Sequence, residues 1–209
     1  MLIYGMLTRF GYIKLNSLML GRLFVILAAF GYGDDIIHIV YLILLQLNIL
    51  EAILLDGVKK QYYNAFSGIL VLISSFYLVL NWTGSSVIVE NEIYILWIIA
   101  YTIWNANFVT LQLSGAYFTH HYLILLSPIV ACLLLLDFSY WLMFRETSLL
   151  LGMTTLATVK GKLHNLEHGK PFSTWMEQTY AHITHKNTQA LLLVFVSICV
   201  VVQLFLMNM

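Results

Sequence analysis

Apolar residues run through this chain in long stretches, and polar residues interrupt them at intervals close to the width of a membrane. A helix that crosses the hydrocarbon core of a bilayer needs roughly 20 mainly apolar residues. Six stretches meet that length: residues 17–33, 36–55, 66–82, 93–113, 117–141 and 189–207. A seventh, 147–163, is marginal, because its apolar part SLLLGMTTLATV is short and rich in threonine. The pattern predicts an all-α fold, a polytopic membrane helix bundle of about seven transmembrane helices, six firm and one marginal.

Lysine and arginine orient such a bundle, since they accumulate in cytoplasmic loops. Seven crossings with a cytoplasmic N-terminus place Arg9, Lys14, Arg22, Lys59, Lys60, Lys160, Lys162, Lys170 and Lys186 inside and leave Arg145 alone outside. If 147–163 does not cross, Lys160, Lys162, Lys170 and Lys186 move outside, and the asymmetry vanishes. The charge pattern therefore favours seven crossings. Tyr140, Trp141 and Trp82 then fall near the outer boundary, where aromatic rings are favoured. The one sizeable loop is cytoplasmic, at about 160–188. Its GKPF break precedes a Thr174–Glu177 capping pattern, which predicts a short helix over about 175–185.

Composition agrees with this reading. Hydrophobic residues make up 61% of the 209 and charged residues 10%, whereas a soluble domain is roughly half apolar and a quarter charged. Formal net charge is zero, which gives no electrostatic basis for nucleic-acid binding. The expected partners are the lipid bilayer and, beyond it, further copies of the chain or other subunits of a membrane complex. The N-terminal segment lacks the order of a cleaved signal peptide. The expectation is a single transmembrane domain over residues 1–209, integral to a membrane of the bacterial inner-membrane type or its equivalent. Cys132 and Cys199 both lie in apolar runs and read as small core residues.

Polar side chains inside spans are costly and mark interior faces. Arg22 and Glu51 lie at similar depth on consecutive spans, which makes an ion pair between them geometrically reasonable. Tyr41, Asn48 and Glu51 share one face of the second span. Tyr94, Tyr101, Asn105 and Gln112 share a face of the fourth, while Asn107 lies on another, so that helix is expected at the centre. Pro128 in the fifth span removes a backbone donor and should free the carbonyl near Ile124. Arg22, Asn48, Glu51, Tyr101, Asn105, Asn107 and Gln112 together suggest a polar binding cavity in the cytoplasmic half.

Six of the seven histidines fall on the cytoplasmic side of this topology. HNLEH spaces His164 and His168 one helical turn apart, and HITH supplies His182 and His185. Imidazoles so clustered can bind a divalent metal. His120 and His121 are further candidate ligands, with Glu167 a candidate general base. HNLEH repeats the letters of the inverzincin motif over five residues only. The last span has no lysine to hold retinal, and no P-loop, GxSxG or CxxC occurs.

Two functions follow as expectations. One is binding or movement of a small solute, or service as a membrane-complex subunit, through the polar cavity. The alternative is a metal-dependent membrane enzyme acting on a lipid or apolar substrate with the cytoplasmic histidines. No internal repeat is evident, so the inverted-repeat signature of many carriers is missing. The topology is open to direct test. Reporter fusions at Lys60 and Lys170 should lie on one side of the membrane and a fusion at Met209 on the other. Opposite sides for Lys60 and Lys170 would mean that 147–163 does not cross.

Overall fold

The computed structural model describes residues 20, 36–84, 86–90, 94–112, 115–167, 182 and 184–207, with 37, 115–117, 153 and 156–167 described by backbone alone. Arg22, with all but one residue of the first expected span, lies outside the described residues. So do His168, Lys170 and most of the expected loop helix.

Among the described residues there are six helices and one hairpin: α1 (Ile36–Val58), α2 (Tyr62–Ser75), β1 (Leu80–Trp82), β2 (Val87–Val89), α3 (Tyr94–Gln112), α4 (Gly115–Leu135), α5 (Trp141–Glu167) and α6 (Lys186–Met207). Four segments are long and apolar enough to cross a membrane: His38–Val58, Tyr94–Gln112, Phe118–Leu135 and Lys186–Met207. The helices alternate in direction. α1, α3 and α5 run toward the end of the bundle that carries Lys59, Lys60 and Lys186, and α2, α4 and α6 run away from it.

The helices are amphipathic in the opposite sense to those of a soluble protein. On α1 the exposed face is Ile39, Ile43, Leu47, Leu50, Leu54 and Val58, while Tyr41, Leu45, Asn48, Ile49, Ala52 and Asp56 are buried. On α6 Leu191, Phe195, Ile198, Val201 and Phe205 are exposed, while Gln189 and Gln203 are buried. A soluble helix hides its apolar stripe and exposes its polar one. Here the polar side chains turn inward to partners, and the outer surface is left to leucine, isoleucine, valine and phenylalanine. α3 sits at the centre. Over half of its apolar window, 56%, is buried in the bundle, against 22 to 28% for the other three.

α2 is built to let α3 approach closely. Its buried face is Asn64, Ser67, Gly68, Val71, Ser74 and Ser75, small residues at helical spacing. Trp97 and Trp104 of α3 lie against it, and each indole N–H donates to a backbone carbonyl of α2. Trp97 Nε1 reaches Val71 O at 3.1 Å, and Trp104 Nε1 reaches Asn64 O at 3.1 Å. Both pairs are two turns apart on their own helices, so antiparallel packing satisfies both with one register. Gly68 makes room for the indole. A Cβ there would come within 2.6 Å of Ile53 Cγ1 and 2.8 Å of Trp104 Nε1.

The expected span 66–82 is not one helix. α2 stops at Ser75, and 14 residues rise only about 21 Å. The run then turns over residues 76–79 and ends in β1, paired antiparallel with β2. Leu78, Leu80, Val87 and Val89 of this unit are buried. Its backbone groups find partners inside the protein: Val89 N–H donates to Ser139 O at 3.0 Å and Glu90 N–H to Val79 O at 3.1 Å. Gly84, at φ +85°, supplies the left-handed turn between the strands. Irregular backbone in an apolar region survives when protein covers it in this way.

The marginal stretch 147–163 is helical throughout and belongs to a 27-residue helix, α5. α5 packs along α4. Pro128 explains part of that pairing. It lies inside α4, cannot donate to Ile124 O, and so frees that carbonyl. Ser148 of α5 donates its hydroxyl to Ile124 O at 2.9 Å and also lies 2.9 Å from Arg145 O. Gly152, one turn further, admits the Ile124 side chain, and its own carbonyl lies 2.9 Å from His120 Nε2. Replacing Ser148 by Ala should cost about 0.6–1.7 kcal/mol of stability in detergent. In a Pro128→Ala background residue 128 regains its N–H, so the same change should cost less. Equal costs by thermal unfolding in the two backgrounds would show that Ser148 does not serve the freed carbonyl.

Candidate functional site

The polar residues of the interior fall into two clusters, and α3 contributes to both. The first lies at the lysine-bearing end. α1 closes there on a left-handed residue, Lys60, at φ +61°. Gln61 N–H donates to Asp56 O at 2.8 Å and Lys60 N–H to Gly57 O at 3.1 Å, the paired pattern that ends a helix and reverses the chain. This tight reversal brings Asn64, in the first turn of α2, back beside Asp56 in the last turns of α1.

Asp56 has no exposed surface. Asn64 Nδ2 donates to Asp56 Oδ2 at 2.6 Å, and Gln112 Nε2, from the last turn of α3, donates to Asp56 Oδ1. Presenting its NH2 to the carboxylate turns the Asn64 carbonyl oxygen the other way. Asn107 Nδ2 donates to that oxygen at 2.7 Å. Asn107 and Gln189 of α6 then exchange two hydrogen bonds, at 2.8 and 2.6 Å. Side chains of α1, α2, α3 and α6 are thus tied into one network. One line of donors runs from Gln189 through Asn107 and Asn64 to the Asp56 carboxylate, an arrangement in which each bond polarises the next. Gln112 Oε1 is buried and accepts no hydrogen bond.

The second cluster lies farther along α3. Arg145 of α5 is buried, and its Nε donates to Tyr101 Oη at 3.2 Å. Asn105 Nδ2 donates to the same oxygen at 3.0 Å. The guanidinium carbon stands 5.7 Å from the centre of the Tyr101 ring, within cation–π range. Trp97 stacks on Tyr101 at 5.1 Å, and Trp141 meets both rings edge-on, at 5.8 and 5.2 Å.

The expected cavity residues are therefore separated. Asn107 and Gln112 join Asp56, Asn64 and Gln189. Tyr101 and Asn105 join Arg145. Asn48 is buried and its Oδ1 accepts no bond, while Glu51 is half-buried on α1. An Arg22–Glu51 pair concerns a residue outside the described set.

One expectation is corrected. Arg145 is not in an outer loop but in the first turns of α5, inside the bundle. Trp141, expected near the outer boundary, faces inward and is almost wholly enclosed, with Trp97 and Tyr101 meeting it edge-on.

Among the histidines, His120 faces Gly152 and its ring meets that of His121 at 5.9 Å. His182 and His185 are exposed. His164 and Glu167 lie on the backbone of α5, their side chains outside the described set. Among the described residues no group of three or more His, Cys, Asp or Glu side chains is placed to hold a metal.

Asp56, Asn64 and Gln189 escaped the sequence reading because each sits at or just beyond the end of an apolar run, where polar residues are ordinary. One signal was present: Asp56 lies seven residues after Ile49, nearly two full turns, and so on the inward face of α1. Arg145 was hidden by the assumption that α5 began after it.

No family model, curated protein or solved structure matches this chain.

The amide exchange between Asn107 and Gln189 carries a checkable energy. Asn107→Leu or Gln189→Leu alone leaves the other amide buried without its partner and should cost about 1–3 kcal/mol. The double variant should cost clearly less than the sum. Simple addition in thermal unfolding would show that the two amides do not act as a pair.

Proposed function

We propose that this chain is a multi-pass integral membrane protein that binds and moves a small cation, the proton included, with Asp56 as the charged centre of its site. The observation that carries this reading is a carboxylate with no exposed surface, held by amides from two other helices within a helix whose outer face is apolar. An ionisable group without exposed surface is costly, and in membrane helices it usually marks an ion or proton path. The oxygen chemistry fits a hard cation. Asp56 offers two carboxylate oxygens, and Gln112 Oε1 is a further buried acceptor on the neighbouring amide. Lysines Lys59, Lys60 and Lys186 mark this end as the cytoplasmic one under the positive-inside rule. Alternation of six helices, with the long α5 among them, supports the seven-crossing topology.

The test is charge displacement. Protein in liposomes on a solid-supported electrode should give a transient current on a jump in pH or in Na⁺. Asp56→Asn keeps the shape and should abolish it, while Glu51→Gln should leave it. A wild-type protein that gives no current under either jump, or an Asp56→Asn protein that gives the full current, would make the network a structural clasp.

A further inference from the structure

The second cluster has a feature that neither packing nor the Asp56 network accounts for. Arg145 is 3% exposed, yet Nη1 of its guanidinium is buried without an acceptor. Trp141, one turn before it on the same face of α5, is 1% exposed, and its Nε1 is likewise buried without an acceptor. Both side chains lie against the Tyr101 ring. Among the described residues no carboxylate forms an ion pair with Arg145. The contacts that Arg145 does make are to a phenol oxygen and a ring face, which orient a guanidinium without neutralising it.

Burial of a hydrogen-bond donor without an acceptor is expensive, and more so when the donor is charged. Two such donors beside one aromatic ring, one of them carrying a full positive charge, define what is missing: an acceptor of negative charge. A planar guanidinium edge matches the oxygens of a carboxylate or phosphate group. Tyr101 lies seven residues from the start of α3 and eleven from its end, so the site is well inside the bundle and distant from Asp56.

We propose that Arg145, Trp141 and Tyr101 form a second binding site that takes a small oxyanion, a carboxylate or phosphate group, between the α3 and α5 faces. Arg145 supplies the charge and a directed N–H. Trp141 supplies a neutral donor. Tyr101 holds the guanidinium in place through its oxygen and its ring, with Asn105 fixing that oxygen. This site stands on observations separate from those at Asp56 and does not depend on the cation reading.

The oxyanion has two sources, an anionic lipid headgroup or a free solute, and the experiment separates them. Native mass spectrometry of the full chain purified in neutral detergent reads retained lipid. Calorimetric titration of lipid-stripped protein with inorganic phosphate and with acetate reads free anion. A lipid source gives a stoichiometric anionic phospholipid on the wild type, and a solute source gives saturable binding of phosphate or acetate. In either arm Arg145→Gln should abolish binding. Trp141→Phe, which keeps an aromatic ring but removes the pyrrole portion and with it the N–H, should weaken it roughly ten- to hundredfold. The phenylalanine variant decides the matter if the glutamine variant does not fold. Absence of binding in both arms for the wild type overturns the proposal, as does wild-type affinity in the folded variants.

Discussion

The contact between Trp104 and the start of α2 is the point from which the polar interior is set. An indole N–H inside an apolar bundle is costly without an acceptor, and the backbone of α2 offers one to Trp104 only if α2 comes very close. Gly68 permits that approach, and the Asn64 carbonyl receives the bond. Once the Asn64 backbone is held there, its side chain lies between Asp56 and Asn107 and can serve both. The order of dependence runs from a glycine, to an indole, to an amide, to a carboxylate. Loss of the first would disturb the last without touching it.

The two polar clusters use different physics. At Asp56 the negative charge is met by neutral amide donors, which share out the cost of burial over three helices. At Arg145 the positive charge is met by an aromatic face and a phenol oxygen, and donor capacity is left over. Both sit on α3, separated by about 16 Å along its axis, taking Tyr101 and Gln112 as markers. One helix therefore carries the orienting groups for opposite charges. This is why α3 is the most enclosed of the long apolar segments and why its side chains are polar on more than one face.

Much of the architecture was legible in the sequence. Hydrophobic run length located the helices: α1, α3 and α6 coincide with expected spans to within three residues, while α4 ends six residues before the expected span 117–141 does. Polar residues on two sides of 93–113 pointed to a central helix. Pro128 announced a free carbonyl at Ile124, although nothing in the sequence named Ser148 as its donor. Other features were not legible. The run 66–82 reads as helix by hydropathy alone, because a buried strand and a buried helix share the same continuous apolar signature. Val87 and Val89 pair with it from across a turn, a pairing that hydropathy alone does not reveal. Arg145 was misplaced for a similar reason. Charge rules assign a lone arginine to a loop, and only the three-dimensional meeting of Tyr101, Trp97 and Trp141 makes room for it inside.

The two indole bonds between α2 and α3 also have a mechanical meaning. Their donors and their acceptors are each two turns apart, so they act as two bolts through the same pair of plates. Sliding one helix past the other by a single turn would shear both bonds at once and drive an indole into a ridge where no glycine gives way. These two helices are therefore locked in one register, with α6 fastened to them through Gln189. The seam to α4 is of another kind. It is made of hydroxyl contacts: Tyr122 Oη lies 2.8 Å from Thr110 Oγ1 and donates to Ala106 O at 3.2 Å. A slide of α4 along α3 would break only side-chain hydroxyl bonds there, with no indole or glycine to lock the register.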